Sequence, residues 1–290
     1  MKPAPFVYHA PRSLEEALSL LADLGDDAKI LAGGQSLMPI LNFRLTRFDH
    51  LIDINRIGDW YGAPRLDSST VTIPTLVRQR TAERDPALAS AVPIFQQALR
   101  QVAHPQIRNR GTICGSLAHA DPAAELPSVV SVLDSTFTVA SSRGKRTVDV
   151  ADFFQFHLTT ALEPDEMLTE VTVRKPPPGT VMAFHEFATR KGDFALAAVA
   201  ASVTFTDGKV SACRLAAAGV APTPQRLTAA ENLVTGSSLT SSACSAAGET
   251  ASGEVDPTSD IHATADHRRK LVDALVQRAL GDAARQGEDL

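Results

Sequence analysis

Apolar positions recur with helical spacing close to the start of the chain, where Leu14, Ala17, Leu18, Leu21 and Leu24 form one stripe. Ser13 precedes it with Glu16 three residues on, a capping-box pair that satisfies first-turn amides, and Gly25 stops the helix. Residues 29–32 read as a short buried strand running straight into Gly33-Gly34, and 51–54 and 71–73 as further strands. Pro86 opens a helix whose apolar positions Leu88, Val92, Phe95, Leu99 and Val102 face one way, ending at His104-Pro105. Asp121 and Pro122 read as cap and first position of another helix carrying Leu126, Val129, Val130 and Leu133, with Pro127 disturbing its first turn. Residues 136–140 and 147–150 flank a polar turn as a hairpin, and 167–173 is a strand.

The run Pro176-Pro177-Pro178-Gly179 continues neither helix nor central strand, so a domain boundary falls there. Beyond it, 199–206 and 209–215 are joined by Asp207-Gly208, the strongest short hairpin signal, and imply a small antiparallel sheet. Residues 235–253, rich in Ser, Gly and Ala, read as a loop or weak helix, and 260–280 as a closing amphipathic helix with Leu271, Leu275, Ala279 and Leu280 inward.

Composition narrows the function classes. A 290-residue chain that is 44% hydrophobic suits two globular domains. Its net charge of −5 argues against a polyanion partner, which would need clustered Lys and Arg; Arg108–Arg110 and 268–270 are too short. No apolar run matches a membrane span and the N-terminus lacks a secretory apolar core, so the expected address is cytoplasmic. Cys114, Cys213 and Cys244 are isolated, too few for a disulfide framework or a four-cysteine cluster. Eight histidines show no H-x-x-x-H or H-E-x-x-H spacing, and no G-x-S-x-G elbow occurs.

Two glycine-rich segments carry the candidate chemistry. In Ala32-Gly33-Gly34-Gln35-Ser36-Leu37, adjacent glycines after a strand allow close backbone approach, and successive amides can form a nest for an anion such as a diphosphate. The same pair also serves a plain tight turn. The pattern is neither G-x-G-x-x-G nor a P-loop, so a nucleotide here is held by a different fold. The second segment, Gly111-Thr112-Ile113-Cys114-Gly115-Ser116, repeats the logic between Arg108 and Asp121. Asp121 suits a helix cap; Glu125 suits a ribose acceptor or a helix start.

AGGQSL, the stretch from IRNRGT to SLAHADPAAELP, RKGDFA at 190–195 and the closing IHATADHRRKL come in that order over essentially the whole chain. Together they resemble the FAD-binding medium subunits of the molybdenum hydroxylases, the group of carbon monoxide dehydrogenase and xanthine dehydrogenase. The resemblance implies an α+β chain. Its first part would be a vanillyl-alcohol-oxidase (PCMH) type two-subdomain FAD-binding fold over 1–175, with subdomains of about 1–55 and 56–175. A smaller α/β domain over 180–290, with a three-stranded antiparallel sheet and helices, would follow.

Carried over by position, Ala32, Gly33, Gly34, Gln35 and Ser36 with Thr112, Ile113, Cys114, Gly115 and Ser116 would hold the diphosphate. Glu125 stands where the xanthine dehydrogenase pattern has an aspartate near FAD, Leu168 would lie against the isoalloxazine, and Arg190, Lys191 and Asp193 near the ring. Leu37, Ala103, Ala120, Asp121 and His185 complete the implied cofactor set, although His185 also suits a purely structural role. The implied partners are a small subunit with two [2Fe–2S] clusters and a large molybdopterin subunit, in a dimer of heterotrimers. This chain would relay electrons from the clusters to an acceptor such as NAD⁺, oxygen or a quinone. A self-contained FAD oxidase or reductase, and an assembly scaffold with a degenerate FAD site, are the alternatives.

Two departures bear on this. Cys114 occupies the first glycine of the family's T-[IV]-G-G, a strain of about 1 kcal/mol if that position needs positive φ. Pro74-Thr75 replaces Gly-Ala and removes an amide donor.

Overall fold

The computed structural model describes residues 2–58 and 62–287. Its N-terminal layer contains β1 (Val7–His9), β2 (Ala28–Leu31) and β3 (His50–Asp53), with β3 between the other two and parallel to both. Parallel neighbours need crossovers, and the helices Leu14–Leu24 and Leu37–Asn42 lie on the connections. In the first, Ser13 Oγ accepts the Glu16 amide at 3.1 Å while the Glu16 carboxylate accepts the Arg12 amide at 2.8 Å. Gly25, at φ 50, closes it. Ala17, Leu18 and Leu21 bury with Ile52, Ile54 and Leu76.

The second layer is an antiparallel sheet in the order β4 (Arg65–Leu66), β5 (Thr70–Pro74), β10 (Met167–Arg174), β6 (Thr136–Ser141), β7 (Gly144–Asp149), with β8 (Phe154–Phe156) and β9 (Thr159–Thr160) as a separate ribbon. Val71, Ile73, Phe137, Val139, Val171 and Val173 alternate onto one buried face beneath Leu88, Phe95, Leu99, Ile113 and Val129.

Three sequence expectations change here. The single helix after Pro86 is two, Pro86–Ala91 and Ile94–Leu99, because Pro93 drives Val92 out of the helical region (φ −146, ψ 75). Asp121 does not cap the next helix; its carboxylate accepts the Ala123 amide at 2.9 Å in a turn, and the helix starts at Glu125. Pro127 then falls in the first turn, where a missing amide leaves no helical bond unmade.

The C-terminal sheet runs β11 (Thr180–Phe187), β12 (Ala197–Thr206), β13 (Lys209–Ala218), β14 (Gln225–Arg226), all antiparallel, so the short β14 makes four strands where three were expected. Asp207 (φ 51) and Gly208 (φ 72) both take the left-handed region that a two-residue hairpin requires. The Ser/Ala-rich stretch settles into the helix Ser241–Glu254, capped by Thr240 Oγ1. The closing helix is Ala265–Gly287, and Asp260 instead holds Arg268 at 2.7 Å. Both faces of β12 are buried. Ala197, Val199, Ala201 and Val203 meet these two helices, whereas Ala198 and Ala200 join the core of the second layer.

Candidate functional site

The first glycine loop lies half-buried between β2 and the helix Leu37–Asn42. Gly34, at φ 73, turns the chain, and the Gln35 side chain folds back to donate to the Gly33 carbonyl at 2.9 Å. Among the described residues the amides of Gly33, Gly34, Gln35 and Ser36 find no acceptor. Four successive unsatisfied donors in a concave turn form an anion nest. Gly33, Gly34 and Gln35 line a cleft of about 400 Å³ with Leu31, Ala32, Asn55 and Arg110. Leu37 opens the helix behind them.

Gly33 is glycine because the second loop presses on it: a Cβ there would lie 2.5 Å from the Arg110 carbonyl oxygen and 2.8 Å from Gly111 Cα. At Gly115 a Cβ would lie 2.5 Å from Thr112 Oγ1, which accepts the Gly115 amide at 3.0 Å. The same point is 3.9 Å from Ala32 Cβ, so the two loops share one seam. The second loop is the more committed of the two. Ile113 donates to the Val77 carbonyl, Gly115 and Ser116 donate to Thr112, and the side chains of Thr112, Ile113 and Cys114 are buried.

Cys114 sits at a helical, negative φ, so no left-handed strain arises; its thiol turns away from the loop toward the Ile73 carbonyl at 3.5 Å. Burial pushes that thiol far above the ordinary range, which makes it a poor nucleophile and a core side chain. Pro74 ends β5, and Thr75 uses its hydroxyl, donating to the Leu168 carbonyl at 2.8 Å.

Ala103 (φ 37) and Ala120 (φ 52) both hold left-handed turns at the rim. The Ala103 carbonyl lies 2.9 Å from the place of a Cβ on Gly192, so the turn of Arg190, Lys191 and Asp193 rests directly on it. Lys191 shares a cleft of about 540 Å³ with Ala103, His104, Arg100, Arg108 and Glu83. Arg108 is itself buried, pairing with Glu83 at 2.9 Å and donating to the Val102 and Ala103 carbonyls. Leu168 belongs to the hydrophobic core, 3% exposed. His185 is not brought to this side. Strand alternation turns it toward the closing helix, where Nε2 meets Asp282 Oδ2 at 2.7 Å, while Glu186 points the other way.

Glu125 is 7% exposed in the first turn of its helix. Burial first, and then the neighbouring charges of Glu186 and Asp121, push its carboxyl up to about 8, against the opposing pull of Arg108. Burial also pushes Glu186 up to about 7.

The sequence reading missed Glu186, Asn55 and Arg78. Asn55 donates to the Ala32 carbonyl at 2.7 Å and accepts from Arg78 at 2.6 Å; Arg78 also donates to the Arg110 carbonyl. One hydrogen-bonded chain thereby ties the first loop to the second. No local motif marks these residues, since they lie on three separate segments.

Residues 4–176 match the model of an FAD binding domain in molybdopterin dehydrogenase, and 182–283 that of the CO dehydrogenase flavoprotein C-terminal domain. The chain is 42% identical over 284 residues to the 6-hydroxypseudooxynicotine dehydrogenase complex subunit alpha of Paenarthrobacter nicotinovorans, covering 98% of this chain and 96% of that one. It is 36% identical to the carbon monoxide dehydrogenase medium chain of Hydrogenophaga pseudoflava, covering 98% of each. Among solved structures, a chain of quinoline 2-oxidoreductase from Pseudomonas putida 86 superposes with a TM-score of 0.94 at 37% identity, with 99% of both chains covered.

Proposed function

The chain belongs to the FAD-binding medium subunits of the molybdenum hydroxylases, and on that premise we propose that it is the flavin relay of such a complex. It takes electrons from the two [2Fe–2S] clusters of a small subunit and passes them to an external acceptor. Substrate oxidation belongs to a large molybdopterin subunit, and the whole is a cytoplasmic dimer of heterotrimers. The observation that carries the reading is the nest of four unsatisfied amides at Gly33, Gly34, Gln35 and Ser36, pressed against the second loop. A diphosphate supplies the acceptors those donors lack.

Ala32, Gly33, Gly34, Gln35, Ser36 and Leu37 bind the diphosphate of FAD in this reading, with Thr112, Ile113, Cys114, Gly115 and Ser116 as the wall that shapes the nest. Ala103, Ala120, Asp121, Glu125 and Leu168, with the Arg190–Asp193 turn, surround the rest of the cofactor. When bound, the flavin supplies one- and two-electron chemistry, and the chain supplies position and field. His185 is left to its structural pairing with Asp282.

Purification of the native complex tests this. A flavin spectrum with about one FAD per chain, and co-purifying iron–sulfur and molybdopterin subunits, are expected. A colourless chain with no saturable FAD uptake refutes the cofactor reading. Steady turnover of an organic donor by this chain alone refutes the relay.

A further inference from the structure

Two clefts flank the short helix Pro105–Arg108. Ile107, with Arg110 beyond the helix end, lines the nest cleft, whereas Pro105 and Arg108 line the other with Glu83, Ala103 and Lys191. The helix Gln79–Arg84 grips this segment at two points one turn apart. The Gln79 amide donates to the Gly111 carbonyl at 2.8 Å, and the Glu83 carboxylate, four residues on, meets Arg108 at 2.9 Å. Both side chains of that ion pair are buried, 7% exposed for Arg108 and 9% for Glu83. The guanidinium spends its donors on two sides. Nε and Nη2 donate to Glu83 Oε2 and Oε1 at 2.9 and 3.4 Å, while Nη1 donates to the Val102 and Ala103 carbonyls at 2.5 and 3.1 Å. Ala103 is the left-handed turn, at φ 37, on which the 190–193 turn rests. A Cβ on Gly192 would lie 2.9 Å from the Ala103 carbonyl oxygen and 3.2 Å from its Cα, so the contact has no slack.

We propose that Arg108, held by Glu83, is a positioning residue that sets two walls of the flavin site through one planar guanidinium. One wall is the Ile107–Arg110 side of the nest; the other is the Ala103 turn beneath Arg190, Lys191 and Asp193. The inference rests on the flavin reading above. A four-residue helix does not hold itself, because so short a run never recovers its nucleation cost. Its place is therefore set by tertiary anchors, and the Glu83–Arg108 pair is the buried one. Displacement of the helix reaches the nest directly, since the Arg110 carbonyl oxygen lies 2.5 Å from the place of a Cβ on Gly33. It reaches the ring side through the Ala103 carbonyl. Arginine suits the position because its rigid fork donates in two directions at once, whereas a lysine ammonium is one point on a flexible stem. Arg80 also meets Glu83, at 2.8 Å, from a more exposed position.

The test is FAD titration of the deflavinated full-length chain, with apo-chain melting and the visible circular dichroism of the bound flavin recorded for each variant. Arg108→Met is expected to lower melting, alter the flavin dichroism and raise the dissociation constant roughly tenfold to a hundredfold, as for one or two lost charge-assisted hydrogen bonds. The double variant, Glu83→Leu with Arg108→Met, removes the carboxylate left alone in the interior, so its melting recovers toward wild type. The Val102 and Ala103 carbonyls still lack their donor, so its affinity and dichroism stay altered. Arg226→Met breaks a comparable pair with buried Glu231 in the C-terminal layer, and should lower melting at wild-type affinity and dichroism. Affinity that follows melting across the set, recovering in the double variant or falling in Arg226→Met, marks a merely structural pair and overturns the proposal. Wild-type affinity in Arg108→Met overturns it as well. Should a methionine variant at 108 fail to fold, Arg108→Lys decides, since it keeps the charge and loses the two-sided reach. A several-fold weaker constant with altered dichroism then supports the proposal, and wild-type values of both overturn it. A wild-type chain that takes up no FAD overturns the flavin reading instead.

Discussion

Gly33→Ala adds one methyl group at the point where the two loops meet. Its Cβ would lie 2.5 Å from the Arg110 carbonyl oxygen and 2.8 Å from Gly111 Cα, both backbone atoms that cannot rotate aside. Ordinary van der Waals contact begins at 3.4 Å, so the loops must part by about 1 Å. Overpacking of this kind costs about 1–3 kcal/mol, equivalent to a fall of about 3–10 °C in melting temperature for a unit of this size. The effect on cofactor affinity is larger than stability alone implies, because the amides of Gly33 and Gly34 move with the separation. A charge-assisted hydrogen bond is worth about 1.5–3 kcal/mol, so losing one alignment weakens FAD binding on the order of 10–100-fold. The assay is FAD titration of the purified chain with thermal melting in parallel, using Gly253→Ala as control. Gly253 has nothing within 4 Å and sits in the helix Ser241–Glu254, so alanine there should stabilise by up to about 1 kcal/mol. Wild-type affinity and melting in Gly33→Ala would refute the seam as the reason for this glycine.

Arg78→Ala removes the link from Asn55 to the Arg110 carbonyl, and FAD affinity should fall by about 1–3 kcal/mol with less effect on melting; an unchanged titration would show that the seam holds without it. Cys114 should resist iodoacetamide in the native chain and react only on unfolding, and Cys114→Gly should lose about 1–2 kcal/mol of stability without improving FAD affinity. Tighter FAD binding by that variant would restore the strain argument. Arg146 holds the Glu166 carboxyl below its ordinary range by hydrogen bonding to it. A depressed acid contributes stability above its unfolded value and loses it as pH falls through the folded one. Arg146→Gln should therefore destabilise at pH 7 and converge on wild type in strong acid, as urea unfolding across pH would record; a gap that persists at pH 2 counts against this.

Local chemistry is well marked in this chain where the deciding interaction is close in sequence. Ser13 and Glu16 declare the first helix, Asp207-Gly208 the hairpin, and Gly33-Gly34 the turn after β2, because each is settled within about four residues. Boundaries blurred where two local signals competed. Pro93 breaks a continuous apolar stripe, and Asp121-Pro122 mimics a helix start that Glu125 provides. β1 escaped notice because what makes it a strand is pairing with β3, well away in the chain.

The sequence alone determined that two glycine loops, their order and their spacing with the 190–195 segment define the family and point to FAD. It did not decide how the loops divide the work. That took the tertiary structure, because hydrogen bonds to Val77 and Thr112 take the second-loop amides of Ile113, Gly115 and Ser116, whereas among the described residues none of the four from Gly33 to Ser36 is taken. Strand alternation separated His185 from Glu186, adjacent in sequence and opposite in space. Only folding buries Glu125 in the first turn of its helix, and burial is what chiefly pushes its carboxyl upward, which no single segment of chain can display.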